Sequence, residues 1–337
     1  MKPQWIDFNT ANSKLSDNHI NALFVDADGS VWAATANGAS WYRERSWSSI
    51  VEQLSWSYSS SGLDSTGNRV PVTETSCNVT SVTQGPAGDL WFGLAGGGVA
   101  RYNTKSPSYP VWTRYTHDDY SLMYDVILSV AAVRPRGDIW IATLDGVAHF
   151  IPASFGRGIW QSHASDSAHF PQVIVRTVAV NPLDNGIWFG VGDYGLVYYD
   201  GDAKWTKFPV NPPYYLPITC IAFDVSNTLW VGKWEGASSF DANTGWWKQD
   251  YVSGTTHGHL PYGPVNAITT DYVTTRWFGT NKGLVRLSDT AWTTFNRANT
   301  QQLPSDTITA LTYDMSGNLW IGTINGIAVY IETGTRF

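Results

Sequence analysis

Residues 314–327 have the sequence Asp-Met-Ser-Gly-Asn-Leu-Trp-Ile-Gly-Thr-Ile-Asn-Gly-Ile, in which a polar turn precedes a short strand and a glycine opens the next one. The Trp-apolar-small triplet at its centre occurs seven times along the chain, at intervals of 42 to 59 residues. The seven copies begin at Trp32, Trp91, Trp140, Trp188, Trp230, Trp277 and Trp320. A period of this length is typical of propeller blades or solenoid turns, so the triplet predicts seven copies of one structural unit.

Each copy has the same neighbours. An alternating apolar strand and a turn precede the triplet, as in Ile308 to Gly317. A glycine, which supplies the positive φ of a tight hairpin, follows it at Gly38, Gly98, Gly146, Gly195, Gly236, Gly283 and Gly326. A second tryptophan begins a fourth strand in six copies, at Trp47, Trp112, Trp160, Trp205, Trp247 and Trp292. The unit therefore has four strands, with tryptophans as packing residues.

The N-terminus supplies the fourth strand that the seventh copy lacks. Trp5-Ile6-Asp7-Phe8-Asn9 matches Trp292-Thr293-Thr294-Phe295-Asn296 of the sixth copy. Two ends that complete one another favour a closed ring over a linear stack, which needs capping repeats. We predict an all-β, seven-bladed β-propeller of four-stranded antiparallel blades, closed by the N-terminal strand, as one domain over residues 1–337. The predicted blades cover about residues 18–50, 77–116, 124–163, 173–209, 217–252, 264–296, and 306–337 with 1–10.

Composition narrows the partners. The net charge of −7 leaves no basic surface for phosphates, so nucleic acid is not expected as a partner. No apolar run approaches the roughly 20 residues of a membrane helix, so membrane insertion is not expected. The two cysteines fall in different blades and are expected to be free thiols. The location is expected to be periplasmic or extracellular if a signal peptide was removed, and cytoplasmic otherwise.

The repeat resembles a known family. Asp314 to Ile327 matches the form Asp-x-x-Gly-Asn-Leu-Trp-Ile-Gly-Thr-x-x-Gly-Ile, which builds the periplasmic sensor propellers of two-component regulators. Partial matches are Gly88-Asp89-Leu90-Trp91, Gly137-Asp138-Ile139-Trp140 and Trp277-Phe278-Gly279-Thr280. The resemblance spans the chain and implies a seven-bladed sensor propeller. The blades are also distantly similar to streptogramin lyases and to some polysaccharide lyases, although no local motif carries their catalytic residues over.

Three classes of function follow. The first is a non-catalytic ligand-binding or sensing module, with a saccharide or another small molecule as ligand. The second is a rigid platform for protein partners. The third is a polysaccharide or streptogramin-type lyase, in which His19 would join His257 or His259 as a general base with a Tyr or Glu235. No motif for a cofactor, a metal or a catalytic nucleophile is found, so neither a cofactor nor a metal is expected.

Candidate ligand contacts lie in loops that share one face of a propeller. These are the loops between strands two and three and the links between blades, of which Ser48 to Ser76 is the longest. Trp234 stands outside the two tryptophan columns, where an exposed ring flanked by polar groups suits stacking on a sugar. The predicted contacts on this face are Trp234, Lys233, Glu235, Asp193, Tyr194, His257, His259 and Tyr262. The alternative role of Trp234 is to pack on a neighbouring loop. The alternative for His257 and His259 is that they are solvated loop residues without a ligand.

Arg176 is a further candidate. Aligning the innermost strands on their second position gives the uncharged polar residues Asn21, Thr80, Ser129, Thr219, Asn266 and Thr309, with Arg176 as the seventh. A lone cation in a polar ring at the channel mouth is predicted to hold a carboxylate or a sulfate. An ion pair with a blade-edge carboxylate such as Asp193 is the alternative.

Overall fold

The computed structural model describes residues 3–63, 69–103, 112–118, 122–134, 136–153, 158–163, 174–192, 194–202, 204–209, 217–253, 259–271 and 273–332, and only the backbone over 58–74. Within these ranges the strands form seven four-stranded antiparallel sheets and one two-stranded hairpin. The predicted all-β, seven-bladed propeller is confirmed. A single short 3-10 helix, η1 (Glu52–Leu54), is present in the described residues.

Thirty strands are numbered in chain order. Blade one consists of β2 (Ile20–Val25), β3 (Val31–Thr35), β4 (Gly38–Arg43) and β5 (Ser46–Ile50). Blade two consists of β8 (Val79–Gln84), β9 (Leu90–Leu94), β10 (Val99–Tyr102) and β11 (Trp112–Tyr115). Blade three consists of β12 (Ile127–Ala132), β13 (Ile139–Thr143), β14 (Val147–Ile151) and β15 (Ile159–His163). Blade four consists of β16 (Val175–Val180), β17 (Ile187–Val191), β18 (Gly195–Tyr199) and β19 (Trp205–Pro209). Blade five consists of β20 (Ile218–Phe223), β21 (Thr228–Lys233), β22 (Gly236–Asp241) and β23 (Trp246–Tyr251). Blade six consists of β24 (Val265–Thr270), β25 (Thr275–Thr280), β26 (Gly283–Ser288) and β27 (Ala291–Phe295). Blade seven consists of β28 (Ile308–Tyr313), β29 (Leu319–Thr323), β30 (Gly326–Ile331) and β1 (Gln4–Phe8). The hairpin, β6 (Trp56–Leu63) and β7 (Arg69–Ser76), lies between blades one and two.

The N-terminal strand closes the ring. β1 pairs antiparallel with β30 from Gln4 opposite Ile331 to Phe8 opposite Ile327. The first strand of each blade contacts the first strand of the next around a complete circle, and β28 returns to β2. The innermost strands therefore line a central channel, and the predicted closure is confirmed.

An aspartate fixes the first turn of several blades. In Asp26, Asp224, Asp271 and Asp314, Oδ1 accepts two backbone N–H bonds of 2.8 to 3.0 Å from its own turn. In three of these blades the indole of the strand-two tryptophan donates to the other carboxylate oxygen, at 2.8 to 3.0 Å. The side chain thus satisfies turn and core donors together, which explains the fixed spacing between the aspartate and the tryptophan.

The glycine that opens the third strand is required by its backbone. Gly326 has φ +125°, and a Cβ there would lie 2.5 Å from the carbonyl oxygen of Phe8 in the fourth strand. Gly38 in blade one has φ +90° and the same conflict with the carbonyl of Ile50. A side chain would break the close pairing of strands three and four at this end of the blade.

Aromatic side chains fill the space between blades. The strand-two tryptophans are almost completely buried, and Trp140 and Trp320 expose at most 1% of their surface. Each meets the neighbouring blade: Trp140 packs edge-on against Phe189 at 5.4 Å, and Trp320 against Trp47 at 6.0 Å between ring centroids. The repeated tryptophans are therefore the residues that pack neighbouring blades against one another.

Candidate ligand-binding face

The loops between strands two and three and the links between blades meet on one face. In several blades the glycine that opens strand three donates its backbone N–H to the link ahead of the next blade, as from Gly38 to Cys77, from Gly98 to Asp125 and from Gly326 to Asn18, at 2.7 to 2.9 Å. In these blades the bonds tie the loop to a link, so side chains on both present a common surface. Cys77 and Cys220 are both free thiols.

A cavity of about 480 Å³ opens on this face between blades two and three. This volume lies within the range of about 300 to 1,000 Å³ that small-molecule sites occupy. The lining residues are Trp56, Ser76, Ala95, Gly96, His117, Tyr124, Asp125 and Val126. Two aromatic rings, an imidazole, a hydroxyl and a carboxylate therefore face one space.

Asp125 forms hydrogen bonds that hold together two of the segments lining this cavity. Its Oδ1 accepts the backbone N–H of His117 at 2.7 Å. Its backbone carbonyl accepts the N–H groups of Gly96 and Gly98 at 3.1 and 2.9 Å. Asp125 thereby holds the link and the blade-two loop in one arrangement, while Tyr124 beside it leaves 46% of its surface exposed.

The hairpin forms the outer wall of the cavity. Trp56, at the start of β6, is 8% exposed and lies against the blade-two loop. A Cβ on Gly97 would come within 2.6 Å of the Trp56 ring, so the glycines of this loop leave room for the indole. Arg114 donates to the carbonyl of Ser55 at 2.9 Å and secures the hairpin base. Sequence reasoning treated this segment as an inter-blade link and did not predict the cavity.

Trp234, Glu235 and Tyr262 come together at the boundary of blades five and six. The Tyr262 hydroxyl donates to Glu235 Oε1 at 3.2 Å, and this bond raises the pKa of the Tyr262 phenol. Trp234 is 56% exposed and Tyr262 is 63% exposed. The exposed ring of His259 stacks on Trp292, with centroids 5.1 Å apart. Trp234 and the pair of Glu235 and Tyr262 are thus exposed beside one another in sequence and space, whereas His259 packs on the outermost strand of blade six.

Lys233 lies inside blade five. Its side chain is completely buried, and Nζ contacts Asp250 Oδ1 at 2.8 Å. Burial lowers the pKa of the Lys233 amine, and the neighbouring Asp250 opposes this shift only in part. The side chain therefore joins strands β21 and β23 and presents no surface on the loop face.

Three further predicted residues belong to the same loops. Tyr194 is half-buried and packs against the apolar core between blades three and four. Asp193 and His257 lie outside the described residues. His19 precedes β2 in blade one, and its backbone N–H bonds to Asp17 Oδ1 at 2.7 Å.

The polar ring at the channel connects neighbouring blades. Every innermost strand has a register shift after its first residue, so its second residue is bulged. From four such positions the side chain donates to the carbonyl of the first residue of the next innermost strand: Asn21 to Val79, Thr80 to Ile127, Thr219 to Val265, and Asn266 to Ile308. The ring is in these blades a belt of inter-blade hydrogen bonds.

One member of the predicted ring was wrong. In blade three the bulge lies between Ile127 and Ser129, so the equivalent residue is Leu128. Val126, Ile127 and Leu128 are all apolar, and the sequence does not mark which of them begins the strand. The Ser129 hydroxyl instead accepts the backbone N–H of Val178 in blade four at 3.3 Å.

Among the described residues, no three His, Cys, Asp or Glu side chains come together as metal ligands. Over the same ranges no helix has the length and hydropathy to cross a membrane. A second hollow of about 280 Å³ lies at the ring closure. It is polar, and its lining residues are Asp7, Asn9, Asn18, Gln301, Gln302, Pro304 and Asn325.

The sequence resemblance is confirmed by comparison with protein families. The family model described as two component regulator propeller matches residues 14–37 and 302–325, which fall in blades one and seven. Comparison with curated proteins gave no match.

Solved structures share the fold. The extracellular domain of BT3049 from B. thetaiotaomicron, classed as a hybrid two component system, is 18% identical with a TM-score of 0.75, over 98% of this chain and 42% of that one. A streptogramin B lyase is 16% identical with a TM-score of 0.65, over 99% and 98% of the two chains. PorZ, a surface component of the type-IX secretion system of Porphyromonas gingivalis, is 16% identical with a TM-score of 0.68, over 98% and 48%.

The TM-scores establish a common fold. The chain spans about two fifths of the BT3049 extracellular domain and about half of PorZ. It spans nearly the whole of the lyase.

Proposed function

We propose that this propeller is a non-catalytic sensing module that binds a small ligand on its loop face. The observation that carries the proposal is the cavity between blades two and three, which is formed by three separate segments and has the volume of a ligand site. The similarity to a sensor's extracellular domain supports a sensing role and a periplasmic or extracellular location. A protein partner on the same face is compatible with this role.

The chemistry of the face favours a saccharide. The partly exposed Tyr124 ring offers a stacking surface, and His117, Ser76 and Asp125 offer polar groups around the same space. Aromatic faces with convergent polar groups are the combination that orients flat, hydroxylated ligands. Trp234 and Tyr262 provide a second, more open surface of the same kind.

Tyr124→Ala is expected to weaken binding of a saccharide found in a glycan-array screen by up to about tenfold, because a stacked aromatic contact contributes about 0.5 to 1.5 kcal/mol. Isothermal titration calorimetry with wild type and variant measures the change. Trp234→Ala tests the second surface in the same assay. The control is Trp246→Ala, which removes a ring that is 74% exposed on the outermost strand of blade five.

Three results would contradict the proposal. A screen in which no saccharide binds, followed by self-association on size-exclusion chromatography, would support a rigid interaction platform. Release of unsaturated products from polyuronates or opening of a streptogramin ring by the purified protein would identify a lyase. Equal affinity of wild type, Tyr124→Ala and Trp234→Ala for a bound saccharide would remove both surfaces as its site.

A further inference from the structure

Arg176 is the charged member of the ring at the channel mouth. It is the second residue of β16, where the other innermost strands carry an asparagine, a threonine or Leu128. The bulge turns this position toward the neighbouring blade. Its counterparts Thr80 and Asn266 use that direction to donate to a carbonyl of the next blade.

The guanidinium of Arg176 makes no such bond. Its Nε is buried and has no hydrogen-bond partner, and the described residues provide no ion pair for the side chain. Arg276 and Arg286 also have a buried Nε without a partner. In each of those, however, Nη2 contacts a carboxylate, at 2.8 Å from Asp224 and 2.9 Å from Glu332.

The ring around Arg176 offers no counter-charge. The ring positions on either side are Leu128 in blade three and Thr219 in blade five, and both are uncharged. The Thr219 hydroxyl is already committed to the carbonyl of Val265. A half-buried cation is costly to keep without a partner, and the chain's 28 acidic residues provide none here among those described.

We propose that the channel mouth on the loop face is an anion site in which Arg176 binds a carboxylate or sulfate group. The planar guanidinium presents parallel N–H donors that match either anion. The rest of the ring consists of neutral hydroxyl and amide side chains and Leu128, none of which carries a negative charge that would repel an anion. The site is separate from the cavity between blades two and three and does not depend on a saccharide binding there.

The test is calorimetric titration of the full chain with citrate and, separately, with sodium sulfate, at constant ionic strength against chloride. Arg176→Gln is expected to weaken binding by about tenfold or more, because a charge-assisted hydrogen bond contributes at least that factor. Arg43→Gln, which removes one exposed positive charge outside the channel, is expected to bind as wild type does. The two titrations show whether carboxylate or sulfate is preferred.

Arg176→Lys keeps the positive charge but loses the parallel N–H donors of the guanidinium, so an intermediate affinity is expected. This variant provides the test if Arg176→Gln does not fold. In chloride alone, Arg176→Gln is expected to have a melting temperature equal to or above that of wild type, because it removes an unpaired cation; a structural arginine would give a decrease. Wild type that binds neither anion, or binding that survives in both variants, would overturn the proposal. Tyr124→Ala is expected to retain anion binding, so this proposal and that of the saccharide site can fail separately.

Discussion

Asp224→Ala is expected to lower the free energy of unfolding by about 3 to 5 kcal/mol, the usual cost of breaking a buried ion pair from one side. The carboxylate is 3% exposed and receives Arg276 Nη2 at 2.8 Å and the Trp230 indole at 3.0 Å. It also holds its own turn through the backbone N–H groups of Ser226 and Thr228. Removing it leaves a blade-six guanidinium and a core indole without their acceptor. Chemical denaturation measures the loss.

Asp314→Ala is the matched comparison. Asp314 makes the same turn bonds and receives the Trp320 indole at 2.9 Å, but among the described residues no arginine contacts it. A loss of about 1 to 2 kcal/mol is expected there, since only neutral donors are orphaned. Equal losses in the two variants would show that the arginine contributes nothing and that the turn alone matters.

The effect of Asp224 is expected to depend on pH. Burial alone would raise the pKa of this carboxyl, but hydrogen bonds from Arg276, Trp230, Ser226 and Thr228 outweigh burial and hold it at about 2. Because the pKa is lower in the folded protein, the stabilisation is complete above the unfolded value of about 3.9 and is lost as the pH falls toward 2. The difference between wild type and Asp224→Ala should therefore shrink by about 2 kcal/mol from pH 7 to pH 2. A difference that stays constant over this range would contradict the ionised pair.

Deleting residues 1–9 is expected to destabilise the whole propeller by about 5 kcal/mol or more, because it removes two partly buried aromatics, Trp5 and Phe8, together with a strand pairing, and loss of even one fully buried aromatic costs about 3 to 5 kcal/mol. Trp5 packs on Phe295 and Tyr330, with centroids 5.5 and 5.0 Å apart. Phe8 lies 5.5 to 6.1 Å from three rings, Tyr42, Trp47 and Trp320. The deletion also exposes β30 as a free edge, which favours association. Thermal unfolding and light scattering measure both consequences.

A peptide of residues 1–12 added to the truncated protein should restore part of the melting temperature, because it can pair with β30 as β1 does. Trp246→Ala removes an aromatic from an outermost strand where it is already 74% exposed, and it should leave stability within about 0.5 kcal/mol. Truncated protein that melts like the full chain would show that β1 does not close the ring.

The fold was predictable because its determinants are local and repeated. The glycine that opens the third strand and the spacing between aspartate and tryptophan both report turn geometry that recurs among the blades, as Gly326 and Asp314 illustrate. The closure was predictable because Trp5 and Phe8 occupy the positions of Trp292 and Phe295. The sequence contains seven copies of one pattern, so a strand whose bounds are ambiguous in one copy can be assigned from the others.

The site was less predictable because its parts have no common pattern. The cavity joins Trp56, Gly96 and Tyr124 from a hairpin, a loop and a link, which only the folded ring brings together. The hairpin itself was missed because its serine-rich strands lack apolar alternation. Lys233 was expected in a loop, but β21 extends to include it and turns its side chain inward. One bulge residue was enough to misassign Ser129.

Because Gln4 faces Ile331 across one strand pair, a polypeptide running through this domain enters and leaves it at points about 5 Å apart. Such a domain can be spliced into a surface turn of a host protein without forcing that turn to widen. Its orientation relative to the host is then set by two adjacent tethers, which restrain rotation far more than a single linker would. A reporter enzyme carrying this domain as an insert is thus a practical way to read out events on the loop face.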